Sequence, residues 1–371
     1  MRDIQVVNDA ALLVHDGVVR DLGPARRIEN LAEARRAIEI DAGGRLAIPS
    51  FVEADTVLVT PRGEGLRSQG AEPTIATASK KLLENQARLA VEEWVRHGVL
   101  AMGSATHGAG DLRDARKLLN IQKIFQTRPI RIRSVFSPSA AQIEAAASDN
   151  VVKQWAASIV EKRLAGLLEL EIPHTDAPFG LEHLEALIQM SVSHGFILRL
   201  RSETPLSHRA QRLVRESGAI SVIAPGITGA PSPEFTKAAC VLVLRTTDIL
   251  SSSHPVECAR RMIDEGWAIA LGSGYQGAKW GSFNPQYLLY LAREQLGMTI
   301  EEAITATTWN SACSLRMSTV AGSVEPGKQA DLAILDAKDY RDLGRRPGHN
   351  DIWLTLRGGR PIYRRGALMP Y

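Results

Sequence analysis

Residues 76–107, ATASKKLLENQARLAVEEWVRHGVLAMGSATH, hold one unit of a pattern that recurs along the chain. Up to His97 the spacing is helical: Leu82, Leu83, Leu89, Val91, Trp94 and Val95 fall largely on one face. Gly98 caps that helix, and VLAMGSATH (99–107) reads as a buried strand. The same succession follows five more times: LRDARKLLNIQKIFQ (112–126) before PIRIRSVF (129–136), NVVKQWAASIVEKR (150–163) before AGLLELEI (165–172), GLEHLEALIQMSVSHG (180–195) before FILRLRSE (196–203), SHRAQRLVRESG (207–218) before AISVIAPG (219–226), and PVECARRMIDEG (255–266) before WAIALGSG (267–274). SPEFTKAA (232–239) before CVLVLRTT (240–247) is a further, shorter unit. With an opening strand near Phe51 this makes about eight β/α units, and continuously apolar strands alternating with helices predict a closed parallel (β/α)8 barrel.

Both ends of the chain read differently. ALLVHDGVVRDLGP (11–24) alternates around Asp16-Gly17, a hairpin signal. AIEIDAGGRLAIPSFVEAD (37–55), GSVEPGKQADLAILD (322–336) and IWLTLRGGRPIYRRG (352–366) are strand–turn–strand text. The expected organisation is therefore a small β-sandwich domain built from both termini, residues 1–48 and 320–371, around a barrel over residues 49–319.

The 371 residues, 44% hydrophobic and 23% charged, suit a soluble globular protein with a large core. Net charge is +3 with no dominant basic block. Arg357, Arg360, Arg364 and Arg365 read as a solvated strand-and-turn face, so no nucleic acid is expected. Cys240, Cys258 and Cys313 are far apart and form no metal or redox motif, which fits a reducing compartment. Met1 is followed by Arg2 and Asp3 rather than by a basic region and an apolar stretch, and no run of about 18 apolar residues is present. A cytoplasmic location without membrane association is the expectation.

Residues 299–343, TIEEAITATTWNSACSLRMSTVAGSVEPGKQADLAILDAKDYRDL, carry a family signature. Thr299, Glu302 and Ala303 match a Thr-x-x-Glu-Ala helix, Asn310, Ala312 and Leu315 an Asn-x-Ala-x-x-Leu segment, and Gly322 to Leu332 a Gly-x-x-x-Pro-Gly-Lys-x-Ala-Asp-Leu motif. GRLAIPSFVEAD (44–55) fits the head. The chain resembles the amidohydrolase superfamily and, within it, imidazolonepropionase and its relatives, along essentially its whole length. The resemblance implies a TIM-like barrel of metal-dependent hydrolase type. It also implies ligands at the C-terminal strand ends for a divalent metal that lowers the pKa of bound water to about 7. The tail motif identifies the fold; it carries no chemistry.

Carried over residue by residue, the implied ligand positions are mostly without donors. The His-x-His of strand one falls on Asp55 and Val57. The strand-five histidine falls near Leu200, or on Arg199 or Arg201 after a one-residue slip. The strand-six histidine falls near Ala224, and the strand-eight aspartate on Gly274. Of Asp55, Val57, Leu200, Ala224 and Gly274 only Asp55 can ligate, so no metal is expected at these positions. A relocated site using Asp55, His107 and His174 is the alternative, with Glu171 and Asp176 as further candidates after strand four. Arg199, Arg201 and Arg245, with Glu203, read as a pocket for a small anion or as a salt-bridged filling, such as Arg201 to Glu203 or Asp55.

Three functional readings follow. The first is a degenerate, metal-free member with a binding, scaffolding or partner-subunit role, as a homodimer or paired with an active paralogue. The second is an active hydrolase of C–N bonds in a cyclic amide or imidazolone-type compound, with a rearranged or metal-free site; zinc or iron enters only here. The third is a sensor or carrier of small anions.

Overall fold

The computed structural model describes residues 4–60, 74–126, 129–146, 148–174, 179–228, 240–251, 255–277 and 281–370. Its strands are β1 (Ala10–His15), β2 (Val18–Pro24), β3 (Leu46–Pro49), β4 (Phe51–Thr56), β5 (Val99–Ala105), β6 (Arg131–Phe136), β7 (Leu167–Glu171), β8 (Ile197–Arg201), β9 (Ser221–Ile223), β10 (Val241–Arg245), β11 (Ile269–Gly272), β12 (Leu332–Leu335), β13 (Ile352–Arg357), β14 (Arg360–Arg364) and β15 (Ala367–Leu368). β4 to β11 form one parallel sheet in chain order. The first and last of these strands meet. Gly274 N donates to Asp55 O at 3.1 Å and Val57 N to Tyr275 O at 2.7 Å, so the sheet closes as the expected barrel.

The apolar runs form strands because both faces of each are covered. Outward side chains, among them Phe51, Leu100, Leu168, Leu198, Leu200 and Leu242, pack in one cluster with the surrounding helices. Inward, Val52, Ala101, Val135 and Leu167 meet Leu315, Met317 and Ala321, which floor the barrel. Ala54, Ile223, Val241, Val243 and Ala270 form a second inner cluster.

The helix expected over the opening stretch runs Lys80–Arg96, and Ser79 caps it by accepting from Leu82 N. Leu83, Val91, Trp94 and Val95 are buried as expected. Leu82 and Leu89 are not: they are 40% and 51% exposed. Ala87 and Ala90 complete the buried face instead, and their small side chains bring the helix close to the sheet. Gly98, at φ +76, ends the unit, a conformation in which a Cβ is strained. The helix expected over residues 232–239 lies outside the described residues.

Both chain ends contribute to the remaining sheets. β3 pairs with β12, and the antiparallel order is β15-β14-β13-β12-β3. β1 and β2 form a separate hairpin turned by Asp16 (φ 49) and Gly17 (φ 79). The tail motif locks these parts together. Asp331 accepts from Gly358 N at 2.8 Å, pairs with Arg357, and lies 3.4 Å from Arg131 Nε on β6. Lys328 sits 4.2 Å over the Trp309 ring. No helix among the described residues is long and apolar enough to cross a membrane.

Candidate active site

Side-chain parity decides what the barrel holds. Residues two apart on a strand share a face. On β8 the inward pair is Arg199 and Arg201, while Leu200 points outward into the core between sheet and helices. Leu200 is therefore not the site position at this strand, and the one-residue slip to the arginines is the correct reading. On β7 the residues in register with Arg199 and Arg201 are Glu169 and Glu171.

These groups form a buried network. Asp55 Oδ1 accepts from Arg199 Nη2 at 2.9 Å and from Arg201 Nη2 at 3.0 Å, and Asp55 Oδ2 from Arg201 Nη2 at 3.0 Å. Glu169 Oε1 accepts from Arg201 Nε at 2.9 Å, and Glu169 Oε2 lies 2.9 Å from Arg199 Nε as a charge contact. Arg199 Nη1 also donates to Ala54 O at 2.8 Å. Gly103 is small for a reason: a Cβ there would stand 2.4 Å from Leu315 Cδ2 and 3.3 Å from Arg199 Nη1. The guanidinium thus occupies the barrel's centre.

Charges this deep persist only when paired. Burial raises the pKa of Glu169, but Arg201, His107 and Arg199 outweigh it and hold its carboxyl well below the usual range. Burial likewise opposes the charge of Arg201, and Asp55 and Glu169 more than restore it.

His107 follows β5 and stands at the outer side of this network. Its Nε2 lies 2.6 Å from Glu169 Oε1, and Ser137 Oγ donates to the same oxygen at 3.4 Å. His107 Nδ1 has no hydrogen-bond partner among the described residues. With Nε2–H donated to the carboxylate, Nδ1 carries the free lone pair.

Farther round the rim, Arg245 donates Nη1 and Nη2 to Glu203 Oε1 and Oε2, both at 3.1 Å, and Nε and Nη2 to Asp248 at 2.9 and 2.8 Å. Arg201 Nη1 reaches Glu203 Oε1 at 3.4 Å. The salt-bridged filling of Arg201 with Asp55 and Glu203 is thus present. Of the other sequence candidates, Glu171 is half-buried at the end of β7 with no ion pair among the described residues, and His174 is exposed in the following loop. Asp176 lies outside the described residues. Asp55 and His107 are drawn to one network.

This donor set does not fit a divalent metal. Val57 and Ala224 are buried hydrocarbon, and both oxygens of Asp55 accept from guanidinium groups. Gly274 adopts φ +64, and a Cβ there would stand 3.2 Å from Arg245 Cβ, so a larger residue is crowded as well as in a left-handed backbone. Among the described residues no group of three or more His, Cys, Asp or Glu could hold a metal ion.

Sequence reasoning missed two carboxylates. Glu169 is legible only from its register with β8. Glu53 lies at the seam of the barrel, where Oε1 accepts from Asp55 N and from Ser273 N, both at 2.9 Å. Gly272 makes room for it, since a Cβ would stand 3.1 Å from that oxygen. Burial pushes the Glu53 carboxyl up to about 8, against the opposing backbone donors. A raised pKa means the folded chain binds the extra proton. Stability from this group is full below the ordinary carboxylate pKa and is lost as pH rises through about 8. Denaturant curves should therefore show wild type losing stability relative to Glu53→Gln between about pH 5 and pH 8; parallel profiles would refute this.

Residues 183–360 match the model of the amidohydrolase family. The chain is 28% identical to an imidazolonepropionase of Solibacter usitatus (strain Ellin6076), over 99% of this chain and 94% of that protein. It is 24% identical to an imidazolonepropionase of Brevibacillus brevis, over 99% and 93%. Its fold is similar to that of 5-methylcytosine deaminase from Klebsiella pneumoniae, with a TM-score of 0.73, 17% identity, and coverage of 97% of this chain and 96% of that one.

Proposed function

The chain belongs to the amidohydrolase superfamily and is imidazolonepropionase-like, and from that premise we infer that it hydrolyses a C–N bond in a small cyclic amide or imidazolone-type compound, at a rearranged site without a divalent metal. The observation that carries this reading is the His107–Glu169 pair at 2.6 Å. A base oriented by a carboxylate is the arrangement that general-base hydrolysis requires. His107 Nδ1 takes a proton from water as the water oxygen adds to the carbonyl carbon. The same nitrogen then returns the proton to the leaving nitrogen as the C–N bond breaks. Glu169 stays ionised throughout and holds the ring. Arg199 and Arg201 hold Glu169 in place beneath it.

The test is turnover of a panel of cyclic amides, imides and imidazolones by protein purified without chelator, with its metal content measured in parallel. Expected are well under one zinc, iron or manganese ion per chain and a fall in kcat of about 10²–10⁴-fold in His107→Ala. One tightly held ion per chain that is lost in Asp55→Asn would overturn the metal-free site. Turnover unchanged in His107→Ala would overturn the base.

One observation favours a second reading, a binding or partner-subunit role without turnover. Asp55, Arg199, Arg201 and Glu169 pair their charges with one another, as a structural plug would. A folded chain inactive on the whole panel would select it. Either role fits a cytoplasmic setting, supported by Cys240 and Cys313 being free thiols.

A further inference from the structure

The charges at the barrel mouth are unevenly buried. Arg201 and Arg245 have side chains 7% exposed, and Asp55, Glu169 and Asp248 are buried to a similar degree. Glu203 is the exception, at 52% exposed. Three buried guanidinium groups (Arg199, Arg201, Arg245) already face three buried carboxylates (Asp55, Glu169, Asp248), so the interior is balanced without Glu203. Glu203 is a fourth, solvent-facing carboxylate laid across the two outer arginines.

The donors it covers have a definite shape. Arg245 presents Nη1 and Nη2 side by side to the two Glu203 oxygens, and Arg201 Nη1 converges on one of them from β8. Arg201 Nη1 and Arg245 Nη1 have no other partner among the described residues. A planar fork of this kind matches a carboxylate in two-point contact. We propose that Glu203 is an internal occupant of a carboxylate subsite, and that a small carboxylate ligand binds by displacing it onto the Arg201–Arg245 fork. One carboxylate group replaces another on the fork, so each guanidinium keeps an anionic partner. The released Glu203 side chain passes into water, where its charge costs little. The inference rests on the barrel mouth being the ligand site of the hydrolase reading, but it is measured by binding and not by turnover, so the two fail separately.

A tethered carboxylate competes at an effective concentration in the millimolar range. Its removal should strengthen carboxylate binding by about tenfold or more. The experiment titrates succinate, acetate and inorganic phosphate into the full chain, wild type, Glu203→Gln and Glu203→Ala, by calorimetry and thermal shift, with circular dichroism to verify the fold. Succinate or acetate should bind both variants about tenfold more tightly than wild type, and adding Arg245→Lys to Glu203→Ala should abolish the gain. Equal affinity in wild type and both variants, or no binding by either folded variant, would overturn the proposal. Tightening for phosphate but not for the carboxylates would overturn it too, by assigning the fork to tetrahedral anions.

Discussion

Arg199→Ala is expected to lower the free energy of unfolding by about 3–5 kcal/mol, measured by denaturant titration at neutral pH. The guanidinium is 1% exposed, bonded to Asp55 Oδ1 and Ala54 O and in contact with Glu169. Truncation leaves parts of two buried carboxylates uncompensated, and that desolvation cannot be recovered by water in a barrel floored by Leu315 and Met317. The loss belongs to the network rather than to one bond. Arg199→Ala combined with Asp55→Ala should therefore cost less than the sum of the two, by about 0.5–3 kcal/mol. Strict additivity, or a single-variant loss below about 1 kcal/mol, would show that the pair is not buried as described.

Glu169→Gln is the second large effect. Glutamine keeps the shape, but its amide NH2 must face guanidinium N–H groups that now meet a carboxylate oxygen. A loss of about 3–5 kcal/mol is expected. His107 also loses the anionic partner that orients it, so any turnover by the folded variant should fall. The pH profile separates this from a packing defect. Since the folded-state pKa of Glu169 is depressed, its contribution is present above the ordinary carboxylate pKa and lost as pH falls through the lower folded value. Wild type should thus lose its advantage over Glu169→Gln in acid. A constant difference down to about pH 3 would sink the assignment.

Much of the architecture was readable because alternation of apolar strands with helices is a strong pattern, and because Asp16-Gly17 and Gly98 punctuate where turns demand left-handed backbone. The interior was harder. β8 alternates Leu198 and Leu200 with Arg199 and Arg201, so it revealed that the arginines share a side without revealing which side of a fully covered strand faces in. That ambiguity placed the strand-five position on Leu200. Once the arginines are known to point inward, the register of β7 brings Glu169 with them, and a carboxylate overlooked in LLELE becomes the centre of the network. Glu53 was invisible for another reason. Its role depends on the seam between the first and last barrel strands, a contact that no local pattern encodes. Leu82 and Leu89 were misplaced because Ala87 and Ala90, not the larger residues, define how closely the helix approaches the sheet.

The pairing of Leu46 with Leu335 has a consequence for biosynthesis. β3 leaves the ribosome before the barrel, yet its partner β12 is translated only after every barrel strand. For most of the time spent in synthesis that edge must wait unpaired, and such exposed edges recruit other chains. Slowing translation before β12 should therefore raise aggregation more than slowing it afterwards.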